Sequence, residues 1–266
     1  MQSYPELTND QKAIILGTAL GDGMLRFNTK ARPGNSTAHL ILGQGEPQLD
    51  YLRWKCNNLS TIISASILPF TTKGNLVGNR FIKPGSYYRV KSRQHPFLSY
   101  VCNLVYNDHR QKVFTEELAA QLTPLALAVW YMDDGQLTYG TTHNRQYARL
   151  GLSTESFDLE NNNHIRDYFL TMGINFYVRP HANHHRLICN DYKSIQTFVN
   201  LVTPHVFLPL FQYKIDLIKD QRSRYTFPCG LSSVFPYFPE EVTSQGSPTL
   251  ETLHCPFLSR GAKKEC

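Results

Sequence analysis

Thr123-Pro-Leu-Ala-Leu-Ala-Val-Trp-Tyr-Met-Asp133-Asp134-Gly135 is the stretch on which the fold turns. Thr123 reads as an N-cap, Pro124 suits the first helical position, and a glycine follows the last turn, so the spacing predicts a short helix. Its residues are apolar nearly all round, which requires burial on most faces. An earlier segment, Asp10-Gln-Lys-Ala-Ile-Ile-Leu-Gly-Thr-Ala-Leu-Gly-Asp22-Gly23, has the same form, with Asp10 in the N-cap place. Two such helices belong side by side at the centre of a molecule.

The two segments open two copies of an internal repeat of roughly a hundred residues, too long for a solenoid unit and the right length for a duplicated subdomain. Ala38-His39-Leu40-Ile41-Leu42 parallels Ala148-Arg149-Leu150-Gly151-Leu152, and Asn103-Leu104-Val105 is echoed by Asn200-Leu201-Val202. Alternation marks strands at Tyr87-Tyr88-Arg89-Val90-Lys91 and His185-Arg186-Leu187-Ile188-Cys189, and helical periodicity falls near 47–59, 95–106, 157–172 and 192–202. Each copy therefore reads helix, strand pair, helix, strand pair, helix. The expectation is an α+β fold of two pseudo-symmetric αββαββα halves, 1–120 and 121–226, with antiparallel sheets around a central helix pair. Residues 227–266 carry Pro228, Pro236, Pro239 and Pro248 among Gly, Ser and Thr, and read as a loosely packed or disordered tail.

Composition excludes more than it selects. A hydrophobic share of 41% and an aromatic share of 12% argue against disorder, and no apolar run approaches the roughly 20 residues of a membrane span. The opening Met1-Gln2-Ser3-Tyr4-Pro5-Glu6 has no secretion or transit pattern, so the protein is expected to act where it is made. Cysteines at 56, 102, 189, 229, 255 and 266 form no CxxC pair and read as free thiols. His181, His184 and His185 lack a second group at ligand spacing and read as turn residues before a strand. Lys and Arg total 27 against 21 acids, a net +6 and a pI near 8.9. That excess permits a polyanionic partner without demanding one.

The acids carry the chemistry. A carboxylate at a helix C-terminus faces the negative end of the helix dipole, unfavourable by about 0.3 to 1 kcal/mol at exposed sites. Asp22 ends one buried helix and Asp133 with Asp134 ends the other, each before a glycine. The same rule broken in both halves points to a compensating cation. Helices packed through Gly17 and Gly21 would bring Asp22 and Asp134 together. The second motif has Val129 and Asp133 at the places of those glycines, so close contact rests on one helix only. Mg²⁺ suits such a site, with Mn²⁺ able to replace it, because it favours carboxylates, retained waters and phosphate oxygens. In phosphodiester hydrolysis such ions activate water and neutralise the leaving oxygen.

Ile15-Leu-Gly-Thr-Ala-Leu-Gly-Asp-Gly23 and Leu127-Ala-Val-Trp-Tyr-Met-Asp-Asp-Gly135 resemble the two motifs of single-chain LAGLIDADG homing endonucleases, over about residues 7 to 225. The second motif is most similar to that of the intron-encoded organellar branch. The resemblance implies a metal-dependent DNA endonuclease acting on double-stranded DNA, with Asp22 and Asp134 as catalytic metal ligands and Gly21 and Asp133 beside them at the metal site. It also implies a catalytic lysine near each scissile phosphate, Lys112 and Lys214, each following the NLV element of its own half. A mitochondrion or chloroplast is the expected location, a bacterial cytoplasm the alternative, and the molecule is expected to be a monomer without a membrane partner. An RNA maturase on the same scaffold, binding its intron RNA, is the competing function, and a non-catalytic DNA-binding regulator is another.

Unequal halves imply a long, non-palindromic target cut to short 3′ overhangs. Arg26, Asn28, Lys30 and Arg32 share one face if extended, and that face is expected to enter a major groove. Arg80, Lys83, Arg89, Lys91, Arg93, Arg145, Arg149, Arg179 and Arg186 are the candidate phosphate contacts. The same alternation also describes an ordinary solvated sheet face.

Overall fold

A computed structural model describes residues 4–27, 37–72, 75–77, 80–82, 85–142 and 145–217, with the side chains of 72, 75–77, 80–82, 142, 145 and 146 outside the description. The chain runs α1 (Asn9–Leu20), β1 (Met24–Phe27), β2 (Ala38–Gly45), α2 (Leu49–Asn58), β3 (Leu68–Thr72), β4 (Asn75–Val77), β5 (Arg80–Ile82), β6 (Gly85–Lys91), α3 (Pro96–Val105) and α4 (Glu116–Ala120). It continues with α5 (Pro124–Asp134), β7 (Gly135–Thr142), β8 (Arg145–Leu152), α6 (Leu159–Thr171), β9 (Tyr177–His181), β10 (His184–Cys189), α7 (Tyr192–Val202) and a 3-10 turn over Pro209–Lys214.

Local chemistry explains where the two central helices begin. The Thr8 hydroxyl accepts from the Gln11 N–H at 3.2 Å while the Gln11 side chain accepts from the Thr8 N–H at 3.1 Å, a reciprocal capping box. Asp10, expected as the cap, lies instead in the first turn, where its charge suits the positive helix end. In α5 the expectation holds: Thr123 accepts from the Ala126 N–H at 3.2 Å, and Pro124 opens the helix. Every residue from Ala13 to Leu20 and from Ala126 to Met132 is buried, as apolarity on all faces demands.

The sheets repeat one another. Their strand orders are β1-β2-β6-β3 and β7-β8-β10-β9, all neighbours antiparallel. Setting aside the small β4–β5 ribbon, both follow the order first, second, fourth, third strand. That ribbon is an insertion in the first half that sequence periodicity did not reveal. The register sorts the faces by parity. Leu25 pairs with Leu40 and Leu42 with Val90 on the inner face of the first sheet, and Leu137 pairs with Leu150 in the second. These leucines and Val90 join the helices of both halves in a single buried cluster. No helix among the described residues is long and apolar enough to cross a membrane.

Asn28, Lys30, Arg32 and Lys83 and the tail 227–266 lie outside the described residues, and Arg80 and Arg145 are described in backbone only.

Candidate active site at the paired helix ends

Glycines of α1 set the closeness of the helix pair. A methyl group at Gly17 would run into the Ala126 carbonyl and stand 2.8 Å from the Val129 Cβ; one at Gly21 would stand 2.5 Å from the Asp133 Cβ. Val129 and Asp133 of α5 thus occupy the hollows that the glycines of α1 leave. The close contact rests on one helix, as the motifs imply, and it is tight. Neither capping glycine adopts a left-handed conformation: Gly21 has φ −87° and Gly135 φ −85°. Gly135 is required for space, since a Cβ there would enter the Tyr131 ring.

This crossing delivers Asp22 and Asp134 to one place. The Asp22 N–H donates to Asp133 Oδ2 at 3.3 Å across the helix interface, and Gln44 Nε2 donates to Asp22 Oδ2 at 3.3 Å. Asp22 is exposed. Asp134 sits deeper, and its carboxylate makes no hydrogen bond or ion pair with the described residues. Burial holds Asp134 well above the usual carboxylate range, and the negative charges of Asp22 and Asp133 push it further the same way. A carboxylate whose charge is disfavoured by burial and by two neighbouring acids marks a place where a cation is stabilising.

Asp133 differs from both. Grouped with the metal residues on sequence, it has a side chain with 0% exposure and is spent on a buried ion pair: Lys55 Nζ lies 2.8 and 2.9 Å from its two oxygens. Gly21, grouped there too, has its carbonyl engaged by Lys112.

The two lysines sit beneath the helix ends. Lys112 Nζ donates to the carbonyls of Leu20 at 2.6 Å and Gly21 at 2.8 Å, and Lys214 Nζ donates to those of Met132 at 2.7 Å and Tyr131 at 3.2 Å. Leu20, Gly21 and Met132 are terminal carbonyls that the helices leave unpaired, Tyr131 already accepts from the Gly135 N–H, and each lysine places positive charge at the negative end of its helix. Burial lowers Lys112 against the pull of Asp134, Asp133 and Asp22. It lowers Lys214 from 10.5 to about 8, against Asp133, Asp134 and Asp22.

As donors for a metal, Asp22 and Asp134 offer only carboxylate oxygen. Among the described residues no three His, Cys, Asp or Glu side chains gather into a cage. An open, two-acid oxygen site fits a hard divalent cation that keeps its waters and takes phosphate oxygens, and fits a structural zinc poorly.

The model of the LAGLIDADG DNA endonuclease family matches residues 12–198. The chain belongs to this family. Among relatives of the LAGLIDADG chain, Protein RecA of Mycolicibacterium chitae is 30% identical over 224 residues, covering 81% of this chain and 48% of that protein. Protein RecA of Mycobacterium shimoidei is 29% identical over 223 residues, with the same coverages of 81% and 48%. The chain thus spans about half the length of these curated relatives. DNA endonuclease I-ChuI of Chlamydomonas applanata is 29% identical over 156 residues, 57% of this chain and 67% of that one. In three dimensions the homing endonuclease I-WcaI bound to its DNA recognition sequence superposes with a TM-score of 0.64 at 20% identity, covering 81% of this chain and 89% of that one. That likeness is one of fold, and it matches the two four-stranded antiparallel sheets described above.

On this LAGLIDADG scaffold the faces of the sheets turned away from the core carry the basic residues. Arg26 pairs with His39, Lys91 with Ile41, and Arg89 with Gly43 on one side and Leu68 on the other, so all share one face of the first sheet. Arg149 pairs with Thr138, and Arg186 with Arg179, on the outer face of the second. Arg93 follows the end of β6 and is exposed. Sequence reasoning missed Gln44 and Lys55. Both had a signal: Gln44 shares the inward parity of Leu40 and Leu42, and Lys55 lies on the buried stripe between Leu52 of α2 and Leu59 just past its end.

Proposed function

We propose that this protein is a site-specific endonuclease that uses divalent metal ions, Mg²⁺ foremost, to hydrolyse both strands of a long, non-palindromic duplex DNA. One observation carries the reading: Asp22 and Asp134, one from each half, meet at the ends of two helices pinned through Gly17 and Gly21. Asp22 and Asp134 would hold the metal, which when bound supplies an activated water and neutralises charge on the phosphate. Lys112, half-buried, and Lys214, buried, hold their ammonium groups at the helix ends and add positive charge close to the reacting phosphates. The outer sheet faces would lie in flanking grooves, Arg26, Arg89, Lys91, Arg149, Arg179 and Arg186 meeting phosphates and base edges. Because both acids come from one chain, a monomer suffices.

The relative named DNA endonuclease and the fold neighbour bound to its recognition sequence support this reading. The match to only half of each RecA relative agrees with a module encoded inside a host gene. We place its action in the compartment of that gene, an organelle or a bacterial cytoplasm. The test is to incubate purified protein with the uninterrupted host allele in Mg²⁺ and to resolve both strands. Double-strand cutting at one position is the expected result. Specific binding without cutting, in Mg²⁺ and in Mn²⁺ alike, would make it a regulator, and restored splicing of a parent intron without cutting would make it a maturase.

A further inference from the structure

The two acids are not held alike. Asp22 receives Gln44 on its carboxylate and gives its N–H to Asp133, whose own oxygens are fixed by Lys55. Lys55 is itself held: it is 1% exposed, its Nζ lies 4.4 Å from the centre of the Tyr51 ring, and the Tyr51 hydroxyl donates to the Val129 carbonyl at 3.2 Å. Aligning β2 with β8 and α2 with α6 puts Thr154 at the place of Gln44 and Ile165 at the place of Lys55. Thr154 is fully buried and gives its hydroxyl to Asn162, while Ile165 is apolar core. Gly21, which stands where α5 has Asp133, has no side chain to offer. Among the described residues the second half therefore holds no equivalent of this chain of contacts, and Asp134 carries none on its carboxylate.

We infer that Lys55 is a positioning residue: through Asp133 it fixes the backbone of Asp22, presetting one of the two cleavage sites and leaving the Asp134 site to be ordered by substrate. This rests on the endonuclease reading above. A buried ion pair contributes little net stability against well-packed apolar groups, whereas half of one left behind is strongly destabilising. Retaining the charges here, on two elements from opposite halves and in contact with a proposed metal ligand, fits a geometric role.

The experiment removes both partners at once in the full chain, Lys55→Met with Asp133→Leu, so that no lone charge stays buried. Two readouts are taken. Amide hydrogen exchange in metal-free protein should show the Asp22 N–H exchanging at least tenfold faster, with the Gly135 N–H, bonded to the Tyr131 carbonyl, unchanged. Cleavage with the two DNA strands separately labelled should show one strand slowed at least tenfold more than the other, nicked duplex accumulating, and DNA affinity within about threefold of the parent protein. Unchanged Asp22 exchange, or equal rates of loss on both strands, overturns the inference. If the double variant does not fold, Lys55→Gln with Asp133→Asn, which also leaves no lone charge buried, is read by the same two criteria. A parent protein that cuts neither strand sinks the endonuclease reading and this inference together, whereas a parent that cuts beside a variant that cuts identically sinks the inference alone.

Discussion

Lys214 donates to the Met132 carbonyl at 2.7 Å, two residues before the acid that ends α5. Lys112 does the same for α1, one residue further along, at Leu20 and Gly21. A buried ammonium costs desolvation, and terminal carbonyls with nearby carboxylates offset only part of that cost. Both lysines are lowered by burial, and Lys214, only 3% exposed, reaches about 8.

Lys214→Met should therefore stabilise the metal-free protein while crippling cleavage. The lowered Lys214 corresponds to a cost of about 3 kcal/mol at neutral pH, and loss of its bond to Met132 returns about 1 to 2 kcal/mol. A net gain of about 1 kcal/mol would raise Tm by about 2 to 4 °C. Cleavage should fall at least about tenfold. A lower Tm would show that the helix-end bonds outweigh the buried charge.

The same residue fixes a pH dependence. Between about 8 and 10.5 the unfolded chain holds the Lys214 proton and the folded chain has released it, so stability rises with pH across that window. Below it both states are protonated and this slope vanishes. Thermal scans of metal-free parent and Lys214→Met should show the Tm gap narrowing from pH 7.5 to pH 10. A constant gap would mean that Lys214 keeps its proton when folded.

Asp22→Asn and Asp134→Asn should each abolish double-strand cleavage, by about a thousandfold or more, with DNA affinity within about threefold. Removing a carboxylate beside Asp134 or at it also relieves like-charge repulsion. Metal-free Tm should accordingly hold or rise. Full cutting by either variant would take that residue out of the metal site.

Gly17→Ala should destabilise through the helix contact. Its added methyl meets the backbone of Ala126, which cannot step aside, and overpacking of this kind costs about 1 to 3 kcal/mol. Tm should drop by at least about 3 °C. Gly43→Ala is the control, because the nearest atom there, the Tyr88 carbonyl oxygen, lies 3.7 Å away. Equal shifts in both variants would remove the crossing as the cause.

Arg89→Gln and Arg149→Gln test the sheet faces. If each arginine neutralises one phosphate, each substitution should flatten the slope of log affinity against log salt by about 0.9. Arg53→Gln, whose guanidinium pairs with Asp50 at 2.9 Å on the exposed face of α2, should leave the slope unchanged. Identical slopes for all three would place the DNA elsewhere.

Features set by local periodicity were legible in the sequence. The helices at 49–58, 96–105, 159–171 and 192–202 fall within a few residues of where apolar spacing puts them, and Thr123 caps as read. Misreadings occurred where a neighbour in sequence competed or a partner was remote. Thr8 outcompetes Asp10 because Gln11 returns its hydrogen bond. Asp133 reads as a neighbour of the metal ligands, and its ion pair was not legible because Lys55, its partner, lies 78 positions away. The β4–β5 ribbon escaped notice because three-residue strands carry too little alternation to register.

The hollow-and-knob meeting of α1 with α5 also says something about ancestry and assembly. Were the chain cut between its halves, two first halves would face each other glycine to glycine, with empty space where Val129 and Asp133 belong. Two second halves would collide, setting one Asp133 against another with Ile165, not a lysine, to receive them. The contact seen here is therefore made of two unlike surfaces, a hollow on α1 and a knob on α5, and its fit belongs to the pair and to neither helix alone.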